Sequence, residues 1–120
     1  MKTFIIRIEN HNRSKEQAEK CMNSAIMNSY DAEFFNGTTP DTLFDAEKIW
    51  KFGVVEPSRA YSFKGENIQK YFTKKSCFMN HVILWNKCVE RNEPILVLEH
   101  DALAKRKWDN AHFSEVLVMN

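Results

Sequence analysis

Glu99 and Asp101 stand one residue apart behind the apolar run Ile95-Leu96-Val97-Leu98, with His100 between them. Side chains two positions apart on an extended backbone leave the same side, so these carboxylates are placed to converge on one hard cation. His100 adds a possible ligand for manganese or zinc. A divalent ion held there, Mn2+ or Mg2+, would neutralise a diphosphate as it becomes a leaving group. The competing reading is a solvated turn in which Asp101 caps a following helix. Cys77 and His81, four residues apart, could share a metal. Both lie in an apolar helical pattern with no second pair, however, which favours packing.

These residues need a sheet behind them. Residues 3–8, TFIIRI, are β-branched or aromatic at most positions and read as a largely buried strand. Ser14 and Gln17 have capping-box spacing, and Ala18, Cys21, Met22, Ala25 and Ile26 recur at helical intervals, so 14–29 is expected to be a helix. Residues 32–35 form a short strand candidate closed by Asn36-Gly37. The opening is β-α-β.

Asp41 is a candidate cap for a helix carrying Leu43, Phe44, Ile49 and Trp50, and residues 54–65 read as a long loop that could edge a binding site. Ser76 is expected to cap a helix running to about Asn92. Its two stripes, Phe78, Val82, Trp85, Val89 and Cys77, His81, Leu84, Cys88, imply that it is largely covered. Glu93-Pro94 stops it, and 95–99 has the character of a central parallel strand. A last strand is expected at 113–118. In open α/β sheets ligands collect at the carboxyl ends of the strands, where Glu99 and Asp101 fall.

One segment resembles glycosyltransferase family 25, the lipooligosaccharide-synthesis type. That family has a Gly-Cys pair followed by Ser-His, an apolar helix with Trp, and a strand ending Leu-Glu-Asp-Asp-Ala. Here the counterpart runs Ser76-Cys77-Phe78-Met79-Asn80-His81-Val82-Ile83-Leu84-Trp85, then Pro94-Ile95-Leu96-Val97-Leu98-Glu99-His100-Asp101-Ala102, with order and spacing agreeing over 27 residues. Ser76 replaces the motif glycine, Asn80 the motif serine and His100 the middle acid. The start is similar too: a strand, a polar loop ending Arg13-Ser14, a helix, and Phe35-Asn36-Gly37.

The resemblance implies an α/β, GT-A-like (Rossmann-like) three-layer domain with a mostly parallel sheet, spanning 1–120 as one domain and incomplete relative to the family. It implies transfer of a hexose from a nucleotide sugar, a UDP-hexose, to a glycan or lipid-linked acceptor, and assigns no catalytic base. Arg13, His81, Glu99 and Asp101 would bind the donor, and Glu99, His100 and Asp101 the Mn2+ or Mg2+. The alternative is a non-catalytic nucleotide-sugar-binding or dimerising module that keeps only the donor half.

Other signals bound the reading. At 43% hydrophobic residues, 120 residues can bury a core without disulfides. A net charge of +1 gives no general attraction to nucleic acid or anionic lipid. There is neither GxGxxG nor GxxxxGK, which sets aside the dinucleotide fingerprint and the P-loop. The odd cysteine count without CxxC spacing and the early charges Arg7 and Glu9 suit a cytoplasmic chain without signal peptide or membrane span. Lys105-Arg106-Lys107 could face a pyrophosphate, although such a run is usually a solvated surface. Trp50, Tyr61 and Phe63 could stack on a base or sugar, with core or loop packing the commoner role.

Overall fold

The computed structural model describes residues 1–49 and 68–108. Its elements are β1 (Lys2–Arg7), α1 (Asn12–Met27), β2 (Asp31–Asn36), α2 (Leu43–Ile49), α3 (Ile68–Arg91) and β3 (Ile95–Leu98). The strands form a parallel sheet in the order β2-β1-β3. Ile5 of β1 lies between Phe34 of β2 and Leu98 of β3.

The most buried strand, β1, takes the centre, whereas β3, whose unbroken apolar run suggested a central strand, lies at an edge of the sheet among the described residues because β1 pairs with both neighbours. Successive side chains of β1 are covered by different helices. Ile5 packs with Ala18, Cys21 and Ala25 of α1, whereas Phe4 and Ile6 pack with Leu84 of α3. A third cluster, Leu43 with Met79 and Val82, fastens α2 to α3. Burying the β1 trio Phe4, Ile5 and Ile6 stabilises the fold by about 2 kcal/mol each.

Several boundaries differ from expectation for identifiable reasons. α1 begins at Asn12 and is capped by His11, whose Nδ1 accepts from the Ser14 N–H at 3.2 Å. Ser14 is not the cap, because its hydroxyl is turned inward to accept from the Ile8 N–H at 2.9 Å. Nor does Ser76 cap α3. That helix starts at Ile68, and the Ser76 hydroxyl donates to the Phe72 carbonyl within it at 2.7 Å. At α2, the Thr42 carbonyl rather than Asp41 opens the helical bonding, accepting from the Ala46 N–H at 3.1 Å. α3 is also less covered than its sequence suggests, with Phe78, Trp85 and Val89 exposed among the described residues.

Two helix ends use left-handed residues. Ser29 (φ 60) follows α1 and Asn92 (φ 50) follows α3, and serine and asparagine are short polar residues able to take this conformation at modest cost. The strand expected at 113–118, the loop at 54–65, and Trp50, Tyr61 and Phe63 lie outside the described residues.

Thr3 is fully buried in β1, and its hydroxyl has no hydrogen-bond partner among the described residues. Replacing it with the nearly isosteric valine removes a desolvated polar group without opening a cavity. Thr3→Val is expected to raise unfolding free energy by about 1 kcal/mol in denaturant titration. A loss of stability instead would show that the hydroxyl is bonded in solution.

Candidate functional site

Parallel pairing puts the carboxyl ends of β1, β2 and β3 at one edge, and the candidate residues gather there. After β3 the chain turns at once: the Ala102 N–H donates to the Glu99 carbonyl at 3.0 Å, closing a turn over Glu99-His100-Asp101-Ala102. Glu99 and Asp101 are therefore the first and third residues of a turn, not neighbours on an extended strand. The turn changes their directions. Glu99 faces α3, where its carboxylate accepts from His81 Nε2 at 2.9 Å. Asp101 acts on the other helix, its charge adding to the burial that pushes the Cys21 thiol of α1 up to about 11.

With the chain turning between them, the same-side geometry of an extended strand no longer governs these two carboxylates. Among the described residues, no group of three or more His, Cys, Asp and Glu could hold a metal ion. What the turn does supply is two exposed carboxylates, with His100 half-buried between them. Neither is paired with lysine or arginine among the described residues. Such a set does not suit an ion caged by protein alone. It suits one shared with a ligand's phosphates, where one or two carboxylates are enough.

His81 is the best-defined of the candidates. It projects from α3 beside the Trp85 ring, with centroids 6.2 Å apart, and an ionised carboxylate can only accept, so its Nε2–H is the donor to Glu99. This hydrogen bond, opposed by burial and assisted by the charges of His81 and His100, holds the Glu99 carboxyl below its ordinary value of 4.5. On the same helix the Cys77 thiol is pushed up, by burial first and then by the Glu99 charge, which makes it a poor nucleophile. All three cysteines are free thiols. Arg13 sits exposed in the first turn of α1, just beyond β1 and at the same edge.

Lys105, Arg106 and Lys107 are not at this edge. The Ala104 N–H donates to the Ser24 hydroxyl at 3.0 Å, and the Tyr30 hydroxyl donates to the Arg106 carbonyl at 2.9 Å. Their segment therefore runs down the flank of α1 toward the amino ends of the strands.

Two features were missed in the sequence. A cavity of about 570 Å³ opens beyond β1 and β2, lined by residues that include Glu9, Asn10, Asn36, Thr39, Asp45 and Asn86. Its rim is clamped by Asn80, a buried residue whose Oδ1 accepts from the Thr38 N–H at 2.6 Å. Gly37 makes room for the clamp, since a Cβ there would lie 2.9 Å from Asn80 Nδ2 and 3.0 Å from Ile8 Cδ1. The available signal was an asparagine between apolar residues on a buried helical stripe.

The His81–Glu99 bond has a measurable consequence. A depressed carboxyl pKa contributes stability at pH above about 4.5 that is lost as pH falls through the lowered value. His81→Ala removes the bond while burial, which raises the value, and the His100 charge, which lowers it, both remain, so the Glu99 carboxyl is expected to titrate higher than in the parent in side-chain carbon NMR. An unchanged titration would mean that the bond does not form in solution.

Residues 1–116 match the model of glycosyltransferase family 25, described as LPS biosynthesis proteins. No curated protein and no solved structure matches the chain. Among the described residues no helix is long and apolar enough to cross a membrane. With the matched span covering nearly the whole sequence, turn and His81 included, the chain belongs to glycosyltransferase family 25.

Proposed function

We propose that this chain binds a nucleotide sugar at the carboxyl edge of its sheet and serves transfer of a hexose to a glycan or lipid-linked acceptor. The observation that carries the reading is the meeting, at one parallel-sheet edge, of the open cavity, Arg13 and the Glu99–Ala102 turn. The fold in this reading is the donor half of a GT-A-like three-layer domain. It is supported by the β2-β1-β3 order and by the covering of alternate β1 side chains by α1 and α3.

The chemistry of the edge divides between two parts of a donor such as a UDP-hexose. The cavity offers amides, hydroxyls and the carboxylates of Glu9 and Asp45, with no lysine or arginine among its described lining residues. Such a lining suits neutral, hydroxyl-bearing groups, a base and ribose, and repels phosphate. The diphosphate then lies toward Arg13 and the turn. Asp101, His100 and the Glu99 carboxylate held by His81 would hold Mn2+ or Mg2+ there together with the diphosphate. When bound, that ion supplies charge neutralisation of the leaving group. His81 keeps Glu99 ionised and aimed, and Arg13 offers a cation fixed at the start of a helix.

One observation favours a second reading, binding without transfer: among the described residues no group of three or more His, Cys, Asp and Glu could hold a metal ion by itself. Donor hydrolysis separates the two.

Calorimetry with a uridine diphosphate hexose, with and without Mn2+, tests the site. Manganese-dependent binding is expected in the parent and is expected to disappear in Asp101→Ala. Melting should change little, since Asp101 is exposed. His100→Asp restores the family's acidic triplet and should tighten manganese-dependent binding about tenfold. If the parent shows no such binding and His100→Asp creates none, the donor-site reading falls.

A further inference from the structure

The basic segment behind the turn is built onto the protein rather than trailing from it. Asn28 Nδ2 donates to the Ala104 carbonyl at 2.9 Å, the Ala104 N–H to Ser24 Oγ at 3.0 Å, and the Tyr30 hydroxyl to the Arg106 carbonyl at 2.9 Å. These bonds use the segment's backbone, leaving the side chains of Lys105, Arg106 and Lys107 exposed. None of the three cations is paired with a carboxylate among the described residues. Beside them two large apolar side chains are turned outward, Leu103 at 63% exposure and Met27 at 84%. Met27 lies between Ser24 and Asn28, the two α1 residues that hold the strap.

We propose that this flank is a docking surface for an anionic phospholipid bilayer. Unpaired cations attract the negative headgroup layer, and adjacent apolar side chains enter the boundary beneath it. Outward apolar side chains such as Leu103 and Met27 suit an acyl boundary rather than bases, and the rings at this flank, Tyr30 with its hydroxyl bonded to the Arg106 carbonyl and Trp108, are half-buried. The net charge of +1 gives no general attraction to polyanions either, so binding has to arise from this local patch. A strap fixed by its backbone holds the cations together before they meet the surface, so less ordering is needed on docking. The surface is separate from the edge that carries Glu99, since the segment runs from the turn toward the amino ends of the strands. Docking here leaves the cavity beyond β1 and β2 uncovered.

The test is co-sedimentation of the whole chain with vesicles of phosphatidylcholine alone and of phosphatidylcholine mixed with phosphatidylglycerol, at low and high salt. Binding is expected to the mixed vesicles only and should fall as salt rises. Replacing Lys105, Arg106 and Lys107 together by Gln keeps the backbone bonds and is expected to weaken binding roughly 100-fold at low salt. Met27→Ser with Leu103→Ser should weaken it about tenfold without altering the salt dependence. Circular dichroism matching the parent establishes that both variants fold. Equal sedimentation with the two vesicle types, no binding to either, or a glutamine variant that binds like the parent overturns the proposal. So does tighter binding to a single-stranded oligonucleotide that the serine variant retains, which would make the flank a nucleic-acid surface.

Discussion

Everything in this fold depends on β1 being paired in parallel on both sides. A parallel neighbour cannot be reached by a tight hairpin, so each connection has to cross the sheet before the next strand starts. α1 makes the crossing from β1 to β2, and the long excursion ending in α3 makes the one to β3. Because Ile5 answers to α1 while Phe4 and Ile6 answer to α3, the central strand needs apolar side chains in both directions. The same constraint assembles the site. With the strands parallel, the loop before α1, the Gly37 turn and the Glu99 turn all emerge at one edge.

That dependence also explains how much could be read beforehand. The strands and α1 were legible because buried strands are apolar runs and α1 has a helical repeat, and the family motif was legible from Ser76 to Ala102. The caps were not. Ser14 and Ser76 have the composition of caps, yet Ser14 serves the Ile8 N–H at a strand end and Ser76 bonds within the turn of helix before it. The direction of the carboxylates was equally hidden. Spacing places Glu99 and Asp101 on one side only while the backbone stays extended, and the turn at Ala102 ends that condition. Asn80 could be seen only as a departure from the family's serine. Its role depends on the Thr38 backbone, 42 residues away in sequence.

The edge is made firm by polar closures. Where each strand stops, a backbone group loses its sheet partner and another group replaces it. The Gly37 N–H donates to the Arg7 carbonyl at 2.7 Å, Ser14 accepts from Ile8, Asn80 accepts from Thr38, and the Glu99 carbonyl accepts from Ala102. A buried donor left unmade costs on the order of 1–3 kcal/mol, so these contacts resist local opening more than their net worth suggests. The side chains above them stand on a fixed frame, which is what a binding site needs.

Charge at that edge supplies the reason for reading the site as cation-dependent. The cavity lining and the turn bring Glu9, Asp45, Glu99 and Asp101 to the carboxyl ends of the strands, with no lysine or arginine among their described residues. A bare diphosphate drawn between them meets carboxylates on both sides, and the two arginines at this edge, Arg13 and the Arg7 bonded to Asn36, do not balance the four. The cations that might have helped, Lys105 to Lys107, are committed to the α1 flank by the Ala104 and Arg106 backbone bonds. A divalent ion arriving with the diphosphate changes the sign of the problem: the carboxylates that repel the free anion become ligands that attract the complex. Glu99 is prepared for that role, because its hydrogen bond from His81 keeps it ionised below its ordinary pKa of 4.5. The absence of a protein-only metal cage among the described residues and the cation-dependence of the proposed site therefore follow from one arrangement, an edge whose negative charge becomes favourable only when donor and ion arrive together.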